Sequence, residues 1–389
     1  MMAGFLVAGV HLPFPARNGV TLPPASLSAA LRARGHRVEV AWLDAPEVPR
    51  EGVEETRAAV DRIQRVPLRT RPFPSRVLGQ LLVGRPAFDR WDLASDPVWD
   101  GPAPDLIWAT PRNCLSAALQ LRAAAGWAGV PLVAAVNDIW TGVVRERRQR
   151  GPTAWSPHLG LSRAEARLLA ESDRVVVQSA TDARVAREEL GLDRYQVVVL
   201  PNGVSDELFG LPLHREAEAC GWVGDTSTQH YRWTTRRLLE EVWPRIRADH
   251  PDLRLLAAGP GSRDLDAPEA GILGRGFVAE LADVYQPLRL LLAPVFKGHG
   301  RINKVAEAMA AGVPVVGDPT AFHDLPGFEP GVHGVVAEGW DDLAEVASRL
   351  LNDEPRRMAV AREARRLASE HFRWDDRVDT VERWLTGGA

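Results

Sequence analysis

Residues 288–317 read LRLLLAPVFKGHGRINKVAEAMAAGVPVVG, and how this stretch is read decides the fold. Leu288 to Phe296 is an apolar run, short enough for a buried strand or half a core helix, and it breaks at Gly298-His299-Gly300. Lys304 to Ala311 is rich in strong helix formers and stops at Gly312, and Val313 to Val316 is a second buried run. The order is strand, glycine loop, helix, strand. A glycine loop feeding a helix start points N–H groups and the positive helix end at whatever lies above the strand, which suits an anion.

The sequence holds two lysines, Lys297 and Lys304, and both lie in this stretch, while the Lys+Arg total is 47. A chain that uses arginine for nearly every positive charge keeps two compact ammonium groups beside one glycine loop. That points to positions where the wide guanidinium fork does not fit. Chance clustering, with a solvated Lys304–Glu307 pair at i, i+3, fits the same residues.

At 389 residues the chain has room for two domains. An apolar fraction of 45% and a charged fraction of 25% are those of an ordinary water-soluble protein. A formal net charge of −4 argues against general nucleic-acid affinity. Cys114 and Cys220 offer no disulfide framework and no metal-ligand spacing, so a reducing, cytoplasmic setting is expected. Phe5 to Val10 lacks a preceding basic region and reads as a first strand rather than a leader, and no apolar stretch is long enough to span a bilayer.

Taken in order, residues 3–10 predict a strand, 25–34 a helix and 38–43 a strand, with Asn18-Gly19 in the loop after the first strand. Strands are also expected at 105–109, 130–136, 174–178 and 196–200. The run 130–136 ends at Asn137-Asp138, where open α/β sheets place site residues, although a capping role for Asp138 fits equally. Residues 62–92 carry Arg62, Arg65, Arg69, Arg71, Arg76, Arg85 and Arg90 among Phe73, Leu78, Leu81, Leu82, Phe88 and Trp91. They read either as a basic amphipathic patch for peripheral contact with an acidic membrane or as a solvated helix face.

A turn at Pro201-Asn202-Gly203-Val204 and a polar connection set the expected boundary near 206. The pattern then repeats, with strands at 221–224, 253–258 and 272–277, a long helix ending at Asp249, and helices at 341–350 and 355–385. In this second half the strand ends gather Gly224-Asp225-Thr226, Gly259-Pro260-Gly261, Phe277-Val278 and the loop Gly298 to Lys304, with Glu307 one turn into its helix. Amides and cations suit a diphosphate, and a carboxylate such as Glu307 accepts both hydrogen bonds of a ribose diol. The ligand implied is a nucleotide diphosphate. Neither a dinucleotide G-x-G-x-x-G after the first strand nor a Walker motif is present, so hydride transfer and ATP hydrolysis lose support. Asp264-Leu265-Asp266 reads as a surface turn rather than a metal site.

The run Gly298-His299-Gly300-Arg301-Ile302-Asn303-Lys304-Val305-Ala306-Glu307, continuing to Val316, resembles the donor-site signature of family 4 glycosyltransferases. Asn18-Gly19, Arg34-Gly35-His36, Asp173, Gln178-Ser179, Pro201 to Val204 and Ser369 to Trp374 resemble other parts of that family.

The resemblance implies an α/β GT-B fold, two Rossmann-like domains facing across a cleft. It places an acceptor-side domain at 1–205, a nucleotide-sugar domain at 206–371, and a terminal helix at 372–389 returning to the first domain. It implies a retaining, metal-independent transfer from a UDP- or GDP-type sugar to an unknown acceptor, without a cofactor. By position, Glu307 would bind the ribose and Phe277 and Val278 would flank the base. Lys304 and the amides of Gly298, Gly300, Arg301 and Ile302 would stabilise the departing diphosphate. Asn18 and Gly19 would approach from the first domain, and Asp138 would face the reacting sugar.

Many members carry Glu where this chain has His299, and the usual basic pair is displaced, with Arg232 the nearest substitute. An inactive donor-binding partner protein and a sugar-nucleotide epimerase are the alternatives.

Overall fold

Eight strands make the first sheet: β1 (Gly4–Gly9), β2 (Arg37–Asp44), β3 (Arg62–Thr70), β4 (Trp91–Leu93), β5 (Leu106–Thr110), β6 (Leu132–Ala135), β7 (Arg174–Val177) and β8 (Val197–Val199). Their order is β4-β3-β2-β1-β5-β6-β7-β8, parallel throughout except for the antiparallel β3/β4 pair. Phe5, Leu6, Val7 and Ala8 are all fully buried, as expected of a parallel strand covered on both faces. The sheet grows outward in both directions from β1, so the strand order reverses between β1 and β5. The computed structural model describes residues 2–16, 20–149, 160–213, 218–226, 229–295 and 302–388.

The arginine-rich segment corrects the sequence reading. Residues 62–70 are strand β3, not a helix face, paired parallel to β2 from Glu39↔Arg62 to Asp44↔Pro67. Val66 and Leu68 point inward while Arg65, Pro67 and Arg69 are exposed, the two-residue alternation of a strand. Much of the charge is also neutralised. Arg62 pairs with Glu39, Arg65 with Asp44, Arg85 with Asp89 and Asp92, and Arg90 with Glu47.

The second sheet holds β9 (Ala219–Val223), β10 (Arg254–Ala258), β11 (Ile272–Gly276), β12 (Leu288–Ala293), β13 (Val315–Gly317) and β14 (Val335–Val336). All are parallel, in the order β11-β10-β9-β12-β13-β14. The stretch 288–317 is therefore β12, the helix Asn303–Ala310 and β13, with Leu291 in register with Val315. Gly312 ends that helix at φ +64, with its N–H donating to the Met309 carbonyl and that of Val313 to the Ala308 carbonyl. This is a Schellman closure, and it needs a residue free to adopt left-handed backbone.

The long helix to Asp249 is helical from Gln229, with a wide π turn at Leu238–Val242 just before Pro244, whose missing N–H would interrupt a regular α ladder. The predicted 355–385 helix is two: Glu354–His371 and Asp375–Leu385.

The chain divides into one unit of Met1–Asn202 with Asp375–Ala389, and a second of Gly203–Trp374. Within the first unit, Asp375–Leu385 lies against the helix Leu22–Ala33 and the turn after it. Arg34 bonds Asp379 at 2.6 Å and Glu382 at 2.5 Å, and His36 bonds Glu382 at 2.8 Å. Among the described residues no helix is long and apolar enough to cross a membrane.

Candidate functional site

At the carboxyl edge of the second sheet three strand ends are drawn together by glycine. Gly259 follows β10 at φ +121, and a Cβ there would lie 2.3 Å from the Gly224 carbonyl oxygen. Its N–H donates to the Gly276 carbonyl at 2.8 Å, and the Gly224 N–H donates to the Ala258 carbonyl at 3.0 Å. Gly224 in turn has no room for a Cβ, which would meet the Tyr231 ring at 2.8 Å. The ends of β9, β10 and β11 thus form a backbone-lined shelf.

Above β9 stands Lys304, the second residue of its helix and 6% exposed. Its Nζ donates to the Val223 carbonyl at 2.7 Å and lies over the rings of Trp222, 4.1 Å from the centroid, and Tyr231, 4.9 Å away. Burial pulls its pKa down to about 7, partly countered by Asp318 and Glu307. Near neutrality this amine is poised between charged and uncharged, and an arriving anion would favour its protonated form.

Asp318 is itself buried at the end of β13. It accepts from the Val295 amide at 2.5 Å and the Thr320 amide at 3.0 Å, tying the exit of β12 to that of β13. Glu307, one turn beyond Lys304 and half-buried, accepts from the Tyr285 hydroxyl at 2.6 Å. Burial and the adjacent carboxylate push the Tyr285 phenol well above its ordinary value, so it stays a donor.

Of the residues expected at this site, Lys304 and Glu307 meet on one helix. Ile302 is its N-cap residue. Phe277, directly after β11, is 48% exposed, and Val278 packs against the core that also holds Tyr285 and Val305. Arg232 is exposed on the helix next to Tyr231. Asn18, Gly19, Gly298, His299, Gly300 and Arg301, with Lys297, lie outside the described residues. Asp266 accepts from the Gly274 amide at 2.8 Å, the role of a turn carboxylate.

In the first unit, Asp138 sits in the loop after β6, and half-buried Arg112 with buried Asp182 and Glu165 holds that loop. Arg112 donates to the Asp138 carbonyl, and its guanidinium carbon lies 4.9 Å from the Trp140 ring centroid and 5.4 Å from that of Phe88. Asp182 accepts from the Ile139 amide at 3.2 Å. Glu165 accepts from the Trp140 and Thr141 amides, both at 2.8 Å, and from the Thr141 hydroxyl at 2.7 Å. These amides open the helix Trp140–Gln149, so Glu165, brought in from the helix Leu161–Ala170, does the capping.

Sequence reasoning missed Tyr285, Trp222, Tyr231, Asp318, Arg112, Glu165 and Asp182. One signal was available: of three tyrosines in the chain, Tyr231 touches Lys304 and Tyr285 touches Glu307.

Two α/β units, each built on a mainly parallel sheet, define a class, the GT-B fold of glycosyltransferases, and solved structures agree on the fold. Anabaena HepE, solved in complex with UDP and glucose, superposes with a TM-score of 0.67 at 17% identity, over 99% of this chain and 99% of that one. A variant of S. aureus TarM, in complex with fondaparinux, alpha-GlcNAc-glycerol and UDP, gives 0.66 at 9% identity over 99% and 100%.

Sequence models then place the chain more narrowly: residues 18–208 match Glycosyltransferase Family 4, and 217–353 match Glycosyl transferases group 1. The chain belongs to glycosyltransferase family 4. It is also 29% identical over 259 residues to a D-inositol 3-phosphate glycosyltransferase of Geodermatophilus obscurus, a match covering 58% of this chain and 55%, about half, of that protein.

Proposed function

We propose that the protein transfers a sugar from a nucleotide-diphosphate-sugar to an acceptor hydroxyl, with retention of anomeric configuration and without an obligatory metal. The second unit would bind the donor and the first the acceptor. The observation that carries this reading is the pair Lys304 and Glu307 on one helix face above a glycine shelf. Lys304, drawn toward neutrality by burial, would take up a proton as the diphosphate arrives and stabilise the charge that grows on it as the sugar leaves. Glu307, held by Tyr285, would accept from the ribose diol, and exposed Phe277 offers a ring for the base.

UDP in the HepE and TarM structures favours a uridine donor. Hexosyl transfer in glycan, glycolipid or secondary-metabolite biosynthesis fits the family. A cytoplasmic setting is supported by two buried, unpaired cysteines.

The test is a donor screen by thermal shift followed by donor hydrolysis with and without cell extract. A UDP-sugar is expected to raise the midpoint and to turn over, and Lys304→Ala to abolish turnover while the protein stays folded. Binding with no turnover under any acceptor would instead support the inactive partner protein, the reading favoured by His299 where many members have Glu.

A further inference from the structure

The helical segment 73–83 is turned inside out. It runs from Phe73 through Leu78 and continues as a π turn over Gly79–Val83. Its inward side is small and polar. Gly79 and Gln80 are buried, Gln80 accepts from the Ala87 amide at 3.0 Å, and a Cβ on Gly79 would collide with Arg71. Its apolar residues face solvent: Phe73 is 60% exposed, Leu78 57%, Leu81 48%, Leu82 73% and Val83 71%. Phe73, Leu78, Leu81 and Leu82 fall on one side at helical spacing, and Val83 follows at the end of the π turn, so these exposures are contiguous rather than scattered. Five large apolar side chains left in water on eleven residues mark a surface with a partner.

Charge identifies that partner. Residues 62–88 contain no Asp or Glu. One arginine of that stretch with no carboxylate bonded to it, Arg76, sits beside the apolar face. Arg76 lies 5.4 Å over the Phe73 ring and bonds the Ala87 carbonyl. On the neighbouring helix Leu161–Ala170, exposed Arg167 bonds the Val83 carbonyl at 3.3 Å, and exposed Arg163 lies one turn before it on the same face. Neither Arg163 nor Arg167 has a carboxylate partner among the described residues. An apolar face rimmed by cations matches an interface of acyl chains under anionic headgroups, whereas a protein partner of the same chemistry would have to present acids around an apolar groove.

We infer that residues 73–83, with Arg76, Arg163 and Arg167, dock the first unit onto a membrane surface rich in anionic lipid. The insertion is peripheral: the segment is far too short to span, and its apolar face enters the headgroup boundary while the arginines meet phosphates. The inference is independent of the donor site, since none of these residues belongs to it.

The experiment is co-sedimentation of the full chain with phosphatidylcholine vesicles and with phosphatidylcholine/phosphatidylglycerol vesicles. The comparison variants are Leu81→Ser/Leu82→Ser/Val83→Ser and Arg163→Gln/Arg167→Gln. Wild type is expected to bind the anionic vesicles at least about tenfold more tightly than the neutral ones and to lose most of that binding in about 0.5 M salt. Each variant should lose about tenfold or more on anionic vesicles while keeping the wild-type melting midpoint and donor hydrolysis. Equal binding by wild type and the triple variant, or no binding of wild type to anionic vesicles, overturns the inference. A concentration-dependent dimer that the triple variant abolishes, without vesicle binding, assigns the face to a second copy and overturns it as well.

Discussion

Lys304→Met should make the second unit more stable at neutral pH while removing turnover. The ammonium is 6% exposed, and burial lowers its pKa from 10.5 to about 7. Between those values the folded protein binds fewer protons than the unfolded chain, so the lysine's penalty is fully present below pH 7 and is relieved as pH rises toward 10.5. Integrated, that penalty is roughly 4 kcal/mol at pH 7 and roughly 2 kcal/mol at pH 9.

Methionine removes the penalty but forfeits the hydrogen bond to Val223 and the two ring contacts, together about 2–3 kcal/mol. The net expectation is a gain of about 1–2 kcal/mol at pH 7, a rise of a few degrees in Tm, and no gain at pH 9. Denaturant unfolding followed by tryptophan fluorescence reads this directly, because Trp222 lies under the substituted atom. A stability difference between variant and wild type that stays constant from pH 7 to 9 would refute the reasoning, since it would mean a fully charged, solvated lysine. A variant that still turns over donor would refute the diphosphate role.

Other expectations follow from the same contacts. Tyr285→Phe leaves Glu307 without its hydroxyl partner and should raise the donor KM about tenfold, an effect of about 1.4 kcal/mol, with a smaller change in kcat. Glu165→Gln keeps the shape but has one oxygen to accept three hydrogen bonds. It should lower stability by about 1–3 kcal/mol in urea unfolding and reduce turnover through the Asp138 loop. Gly259→Ala puts a Cβ 2.3 Å from the Gly224 oxygen at φ +121. A loss of about 3 kcal/mol is expected, and a melting midpoint equal to wild type would show that the shelf is looser than its geometry.

The second sheet and the stretch 288–317 were legible because their strands are near-continuous apolar runs punctuated by glycine. The helix ended at Gly312 for the backbone reason the sequence suggested. β3 was not legible: arginines and Pro67 mask a two-residue alternation carried by Val66 and Leu68 alone. Lys304 and Glu307 announced themselves by rarity and spacing. Their partners could not, since Tyr285 ends the short helix before β12, Asp318 follows β13, and neither carries a local pattern. Glu165 is hidden for the same reason: it caps a helix that begins 25 residues before it.

The closing helix has a consequence for synthesis. Asp375–Leu385 belongs to the first unit, where it holds Arg34 and His36, and Trp384 lies 5.0 Å from Arg174. The second unit is therefore a continuous insertion, leaving and re-entering where Gly203 meets the Trp374 ring. On the ribosome the insertion can finish folding while the unit begun first still lacks its last helix. A nascent chain stopped just after Trp374 carries a complete second unit and an N-terminal unit with the Leu22–Ala33 helix uncovered, so truncations there should be cleared by proteases that attack the beginning of the protein.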